Sequence, residues 1–583
     1  MGKNRRILIA TAFPTQGAGS GALVTTQAKS YIEENEKGEN NNEVVIITAN
    51  SNTEFDKLNG VRYHLVPFTA ETENPEKIEV EGQKQLPFNF LMFTTHTQST
   101  ANFWNVSMKQ IEDYCAEFKK ALKSEVKNFN PDVIHAQHNW LLSSLATEMG
   151  KPVVTTIHGT DLMGYERSKV ELARVEEELN RIKQDSKDKK SGIEVKEIEL
   201  LEEVYKRSSN IDDVNREIKR LIKDKKVNMS KADVMKVMSV LDSKRKYEFY
   251  INESEKSARN SEKIIVISDA QKEKFTELFP YAADKVVLLE NGYDPKTFYR
   301  EETDKSIISS LVSDNTPDGK ISEDFDSLIL FVGKFADFKG IDSMLTAAKM
   351  YEEELIKRGK KPLTLIVGSG VLEKKLKEQA KKLGLKNTHF VGRKNHEEIR
   401  KLQNLADVSL IPSRDEPFGL VVIEGTACGH PVIASNSGGI PGILNTTKQK
   451  LPNERIIKTP LGVLVKPLPV RPSSLTESQK DELDKLTTEY VVGDETKRKE
   501  ILVQGTRALG LSSEVLEKYF ADYTESTRAL SDSVVQVVGK EITFDGEEIA
   551  DYTKRTYSQD IIRDKIFGVF DEAGRLKKIR EDL

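Results

Sequence analysis

The chain has 583 residues, enough for two or more domains. Hydrophobic residues make up 37% and charged residues 31%, and 88 basic against 93 acidic residues leave a net charge of −5. That balance gives no reason to expect nucleic acid as a partner. Only Cys115 and Cys428 are present, too few to staple a chain this size and without metal-ligand spacing, so a reducing cytoplasm is expected. The opening Met1 to Ala10 is charged and then only briefly apolar, too short for a secretory signal. No run of about 18 apolar residues occurs, so no transmembrane helix is expected.

Arg6 to Ala12 reads as a strand of the continuous apolar kind that parallel sheets bury. The loop that follows carries Gly17, Gly19 and Gly21 and leads into a helix from Ala22 to Glu34. Such glycines let backbone approach a ligand at a helix start, but the spacing is not the dinucleotide-binding G-x-G-x-x-G. A plain tight turn is the alternative. Glu43–Thr48 and Val61–Val66 are the next strands. Pro87 to Phe93 is an apolar, aromatic stretch that suits the core or an acceptor-side lip. Met108–Phe129 is an amphipathic helix with Ile111, Cys115, Phe118, Leu122 and Val126 on one face. Lys119, Lys120, Lys123 and Lys127 decorate its other side, a solvated face or, as the alternative, a contact with the inner surface of a membrane. Pro131–Ala136 and Pro152–Asp161 are further strands. The second ends in Thr-Ile-His158-Gly-Thr-Asp, which puts His158 at a strand's carboxyl end, where open α/β sheets keep ligands.

About a hundred residues then separate Asp161 from the next strand, Ser261–Ser268. Leu172, Val175, Leu179 and Ile182 form a heptad-like seam there. Ile198, Leu201 and Tyr205, then Val214, Ile218 and Leu221, continue it. A helical or coiled-coil insertion over residues 166–258 is expected, with self-association, acceptor docking or a spacer role open to it.

In the C-terminal half, Leu328–Val332 is a strand running into Gly333-Lys334-Phe335-Ala336-Asp337-Phe338-Lys339-Gly340. Two lysines in a loop after a strand suit a diphosphate. Leu363–Val367 and His389–Arg393 are further strands. Ala406–Pro412 leads into Arg414-Asp-Glu416-Pro-Phe418-Gly419-Leu420, and a helix over Leu420–Ala427 contains Glu424. Free N–H groups of Phe418, Gly419 and Leu420 would open that helix and favour an anion. The region from Pro467 to Lys554 reads as helical and polar.

Glu416, seven residues, then Glu424, followed by His430-Pro-Val-Ile-Ala and Gly438-Gly-Ile-Pro441, resembles the signature of retaining GT-B glycosyltransferases of the family-4 (group 1) type. The resemblance implies an α/β chain of two Rossmann-like domains: residues 1–297, acceptor-side and carrying the insertion; 298–552, nucleotide-sugar-binding; and 553–583, a helix crossing back. It implies transfer of a hexosyl or N-acetylhexosaminyl group from a UDP-, GDP- or ADP-sugar to an acceptor hydroxyl of unknown class, by a metal-independent, front-face route without a further cofactor. His158, Lys334, Lys339 and Glu416 would be catalytic. Gly19, Gly21, Gly333, Arg393, Phe418, Gly419, Leu420 and Glu424 would bind the donor, and Arg414 is a further candidate. The family generally has Arg where Lys334 stands, and Lys keeps the charge but loses the two-pronged contact. A sugar phosphorylase or nucleotide-sugar epimerase on the same fold, or a non-catalytic scaffold built on the insertion, are the competing readings.

Overall fold

The computed structural model describes residues 4–15, 19–36, 41–93, 99–188, 193–311, 321, 324–472 and 474–582. The chain divides into two compact units, one of residues 1–267, 271–289 and 563–583, the other of 268–270 and 290–562.

The first unit is built on a seven-stranded parallel sheet: β1 (Arg6–Ala10), β2 (Glu43–Asn50), β3 (Val61–Pro67), β4 (Val133–Gln137), β5 (Val153–Ile157), β6 (Lys263–Val266) and β7 (Val286–Leu288), in the order β3-β2-β1-β4-β5-β6-β7. Ile7, Leu8 and Ile9 are fully buried, as both faces of a parallel sheet require. The order reverses between β1 and β4, so the loops after these strands diverge and leave a crevice at their carboxyl ends. The Pro87–Phe93 stretch is core: Phe90 and Leu91 are inaccessible to solvent and pack with Phe68, Phe103 and Tyr114. Two of the four helix lysines close ion pairs, Lys119 with Glu148 (2.5 Å) and Lys120 with Glu117 (2.6 Å). The last helix, Gln559–Asp582, contributes Phe567 and Phe570 against Tyr31, and Arg563 to Glu34. Among the described residues no helix is long and apolar enough to cross a membrane.

Among its described residues the expected insertion is built of helices joined by short turns. Thr160–Lys187 and Lys231–Asn260 pair along their length, with Val195–Arg207 and Ile211–Lys223 between them in sequence. Both long helices are rooted in the unit's core, where Leu162, Tyr165, Tyr250 and Ala258 are buried. Lys246 donates to the carbonyls of Trp104 and Val106, and Tyr250 Oη to that of Phe103. Farther out, Val175, Leu179 and Ile182 pack with Ile198, Leu201, Val214, Ile218 and Leu221 in a separate apolar cluster. From Val175 to Ile182 the narrow seam is thus covered by the insertion's own helices.

The second unit repeats the plan with β8 (Ser327–Val332), β9 (Pro362–Val367), β10 (Thr388–Gly392), β11 (Val408–Ile411), β12 (Val432–Ser435), β13 (Ile456–Thr459) and β14 (Gly462–Val465), ordered β10-β9-β8-β11-β12-β14-β13. All pairs are parallel except β13 with β14. The polar 467–554 region carries an apolar seam after all. Its helices Glu477–Val492, Glu495–Leu509 and Ser513–Val538 bury Leu483, Leu486, Ile501, Leu516 and Phe520 together. The far end of the third helix packs on the sheet-covering helix Ile341–Lys357 through Ala529, Leu530 and Val534.

Because Leu201 is fully buried in the insertion's own cluster, Leu201→Ala should cost ~2–5 kcal/mol there. Hydrogen exchange is expected to speed up in Val195–Arg207 and Ile211–Lys223 while β1, β4 and β5 keep their protection. Loss of protection throughout the first sheet would show that the insertion is not an independent unit of stability.

Candidate functional site

In the second unit the order of strands reverses between β8 and β11, and the loops after these two strands carry the lysines and Glu416. They are interlocked by backbone. Gly340 adopts φ +65°, and a Cβ there would stand 2.0 Å from the Pro412 carbonyl oxygen; at Gly438, φ +58°, it would stand 2.1 Å from that of Glu416. Only glycine lets the chains approach this closely. Gly439 N–H also donates to the Glu416 carbonyl at 2.8 Å.

Lys339 Nζ lies 2.5 Å from Glu416 Oε2, the two side chains being 18% and 10% exposed. Ser413 Oγ donates to the same carboxylate oxygen at 3.1 Å. The helix Leu420–Ala427 starts directly beyond, capped by Gly419 at φ +107° with no side-chain acceptor on its first N–H groups. Those groups have no partner in the helical ladder and carry its positive end. Phe418 turns inward, 3% exposed, with its ring 6.4 Å from that of Tyr557. Glu424, one turn into the helix, is half-buried. Burial pushes its carboxyl up to about 7, against the opposing pull of the Lys339 charge.

Lys334 and Arg393 form a second cationic group over β8 and β10. Burial, then the Arg393 charge, lowers the Lys334 ammonium from its ordinary value. Arg393 Nε donates to Ser369 Oγ at 2.6 Å. Gly333 sits at the base of the Lys334 loop, its N–H on the Val367 carbonyl at 3.0 Å. Arg414 does not face this group. Its guanidinium grips Asp342 with both prongs (2.9 and 2.6 Å) and the Asp337 carbonyl (2.8 Å). Burial alone would raise the Asp342 carboxyl, but Arg414 outweighs it and holds the group well below the usual carboxylate range.

In the first unit a polar cluster sits at the reversal between β1 and β4. The expected strand through Asp161 stops at Ile157: Gly159 turns at φ +92° and Thr160 starts a helix. His158 Nε2 lies 2.8 Å from Gln137 Oε1; with that amide orientation Nε2 carries the proton and Nδ1 is an acceptor. The His138 ring lies 4.5 Å from that of His158, and its Nε2 is 3.1 Å from Ser20 Oγ, in the first turn of the helix Ser20–Glu36. His138 holds φ +70°, rare for a non-glycine residue, and its Nδ1 is buried with no hydrogen-bond partner among the described residues. Gly19 turns the chain at φ +77°, and Gly21 approaches the Pro14 carbonyl so closely that a Cβ would be 2.3 Å away. Gly17 lies outside the described residues. Burial lowers both imidazoles, His158 to about 4 and His138 well below its ordinary value, so both are neutral at pH 7. Asp161 accepts N–H bonds from Asn139 (2.8 Å) and His158 (3.3 Å), and burial pushes its carboxyl up to about 6.

The structure thus brings Lys339, Glu416, Glu424, Gly419 and Leu420 into one group and Lys334, Gly333 and Arg393 into its neighbour. His158, Gly19 and Gly21 belong to the first unit. Sequence reasoning passed over Gln137 and gave His138 no role. The one signal for them was position, since Gln137 ends β4 and His138 follows it, at the carboxyl end that lines the crevice. Among the described residues no group of His, Cys, Asp and Glu side chains is arranged to hold a metal.

The raised Glu424 value carries a sign that can be checked. The fold holds this proton more tightly than the unfolded chain does. The contribution favouring the fold is therefore present below the ordinary 4.5 and is lost as pH rises to about 7. Glu424→Gln cannot titrate and should remove that decline, so its melting temperature should gain on the wild type between pH 5 and pH 8. An identical pH dependence in the two proteins would mean that Glu424 is already ionised in the fold.

Comparison with known proteins places both halves. Residues 315–459 match the model described as glycosyl transferases group 1, and residues 39–184 the model described as Glycosyltransferase Family 4. An uncharacterized glycosyltransferase of Methanocaldococcus jannaschii is 32% identical over 189 residues, which is 32% of this chain and 46% of that protein. A glycogen synthase of Mycobacterium tuberculosis is 30% identical over 188 residues, 31% of this chain and 39% of that one. The D-rhamnosyltransferase WbpZ of Pseudomonas aeruginosa is 32% identical over 176 residues, 27% and 43% of the two chains. The chain spans less than half the length of these curated relatives. A group 1 glycosyl transferase model thus matches in the second Rossmann-like unit and a Glycosyltransferase Family 4 model in the first.

Proposed function

We propose that the protein is a retaining glycosyltransferase that moves a hexosyl or N-acetylhexosaminyl group from a UDP-, GDP- or ADP-sugar to an acceptor hydroxyl, without a metal. The observation that carries this reading is the Lys339–Glu416 pair at the strand reversal of the second unit, beside a helix start and within the field of Glu424.

In the reaction, the bond between the sugar's C1 and the β-phosphate oxygen breaks and its electron pair goes to the diphosphate. The acceptor oxygen bonds to C1 on the face the diphosphate leaves, and the acceptor's proton passes to the departing phosphate. Negative charge grows on that phosphate, so fixed cations and helix-start N–H groups act where the transition state needs them. Lys339, Lys334 and the N–H groups of Gly419 and Leu420 fill these roles, with Gly333 and Phe418 shaping the backbone. Arg393 extends the cationic rim. Glu416, released from Lys339, accepts hydrogen bonds from sugar hydroxyls, and Glu424 accepts them from the ribose. The acceptor Nδ1 of neutral His158 suits a sugar hydroxyl, and Gly19 and Gly21 allow close backbone approach beside it.

Lys339→Ala should keep a cooperative thermal transition and lose ~100- to 1,000-fold in kcat, the usual effect of removing one group that acts on transition-state charge. Steady-state kinetics with UDP-, GDP- and ADP-sugars checks this; unchanged turnover would reduce Lys339 to a surface charge. Proton NMR of freshly formed product should show the donor's anomeric configuration. An inverted linkage would overturn the retaining assignment.

A further inference from the structure

Lys339 is flanked by two carboxylates, Asp337 and Asp342, and both are tied to the helices that follow β14. Arg471, in the segment leading out of β14, donates to Asp337 Oδ2 at 2.5 Å and to Asp484 Oδ1 at 2.7 and 2.9 Å. Asp484 stands on the helix Glu477–Val492 and also receives Lys375 at 3.1 Å. Tyr523, on the helix Ser513–Val538, donates its hydroxyl to Asp342 Oδ2 at 2.9 Å, the same oxygen that Arg414 Nη2 holds at 2.6 Å. Arg414 stands two residues before Glu416, and its N–H donates to the Phe338 carbonyl at 2.7 Å. The side chains of Arg471, Asp484, Arg414 and Asp342 are 9%, 10%, 12% and 15% exposed. Asp337 is the exposed end of this network, its side chain 59% exposed, while the four buried members hold one another in one geometry, because moving one leaves another charge unpaired.

We propose that the helices of residues 477–538 brace the Lys339 loop, with Arg471 and Tyr523 as positioning residues that set where the ammonium stands relative to Glu416. Neither side chain reaches the lysine or Glu416. Arg471 acts through Asp337, two residues before Lys339, and Tyr523 through Asp342, three residues after it. The loop between these anchors is a single turn, Asp337–Lys339, closed by the Gly340 N–H on the Asp337 carbonyl. A short turn pinned at both ends has little freedom left for the lysine's backbone. This inference rests on the proposed role of Lys339.

The test combines kinetics with hydrogen exchange on the full chain. With UDP-glucose, GDP-mannose and ADP-glucose as probes, Arg471→Met and Tyr523→Phe should each lower kcat about ten-fold, in the range a misplaced catalytic group costs. The donor KM should change by less than about two-fold, since the contact is made on charge that develops in the transition state. Arg471→Lys, which keeps the charge between Asp337 and Asp484, should recover part of the loss. In a Lys339→Ala background neither substitution should lower kcat further, because the residue they position is gone. Equal losses with and without Lys339, or unchanged kcat with only a lower melting temperature, would overturn the brace. Should the wild type turn over neither these three donors nor UDP-N-acetylglucosamine, the functional reading fails and exchange decides the brace alone. Amides of residues 337–342 should exchange faster in Tyr523→Phe while 477–492 stay protected. Unchanged protection there would overturn it.

Discussion

A lysine ammonium and a glutamate carboxylate meet at 2.5 Å where the strand order of the second sheet reverses. Most of what surrounds them keeps that meeting in place. Gly340 and Gly438 bring three loops closer than any side chain would permit. Arg414 ties the loop after β11 to the first turn of the helix after β8. The pair is exposed enough to open and buried enough for its charges to act strongly. An ion pair of that kind gains little stability when closed, because desolvation offsets the attraction. It is better suited to exchanging Glu416 for an anion than to holding the fold together.

Much of this was legible in the sequence. The helix Leu420–Ala427 has the limits its Gly boundaries indicated, and the Lys334 and Lys339 loop follows a strand as expected. Spacing placed Glu416 and Glu424 on one loop and helix start. What spacing could not show was who faces whom. Arg414 was a donor-pocket candidate because its partner Asp342 lies 72 positions away in the chain. Tyr523 reaches the same Asp342 across 181 positions. His138 looked ordinary because a strained φ leaves no mark on composition, and the strand before His158 was read too long because a single glycine, Gly159, turns it.

The two long additions were legible as helix but not as architecture. The seam at Leu179 and Ile182 suggested an apolar edge open to a second chain. The edge is instead filled by Ile198, Leu201, Val214 and Ile218 from the same insertion. Heptad-like spacing signals helix-on-helix packing without saying which chain supplies the partner. The 467–554 region read as polar because its buried residues are spread over three helices, each contributing a few, so no one segment looks apolar. Polarity alone did not show that two of its charges, Arg471 and Asp484, are buried against each other, with side chains 9% and 10% exposed.

The central claim is that the Lys339–Glu416 pair is the place where a donor diphosphate binds. A crystal structure with whichever of UDP, GDP or ADP binds tests it most directly. The account predicts the β-phosphate within hydrogen-bond distance of Lys339 Nζ, Glu416 released from that lysine, and the ribose hydroxyls on Glu424. A nucleotide bound elsewhere in the second unit, with Lys339 still on Glu416, would contradict it.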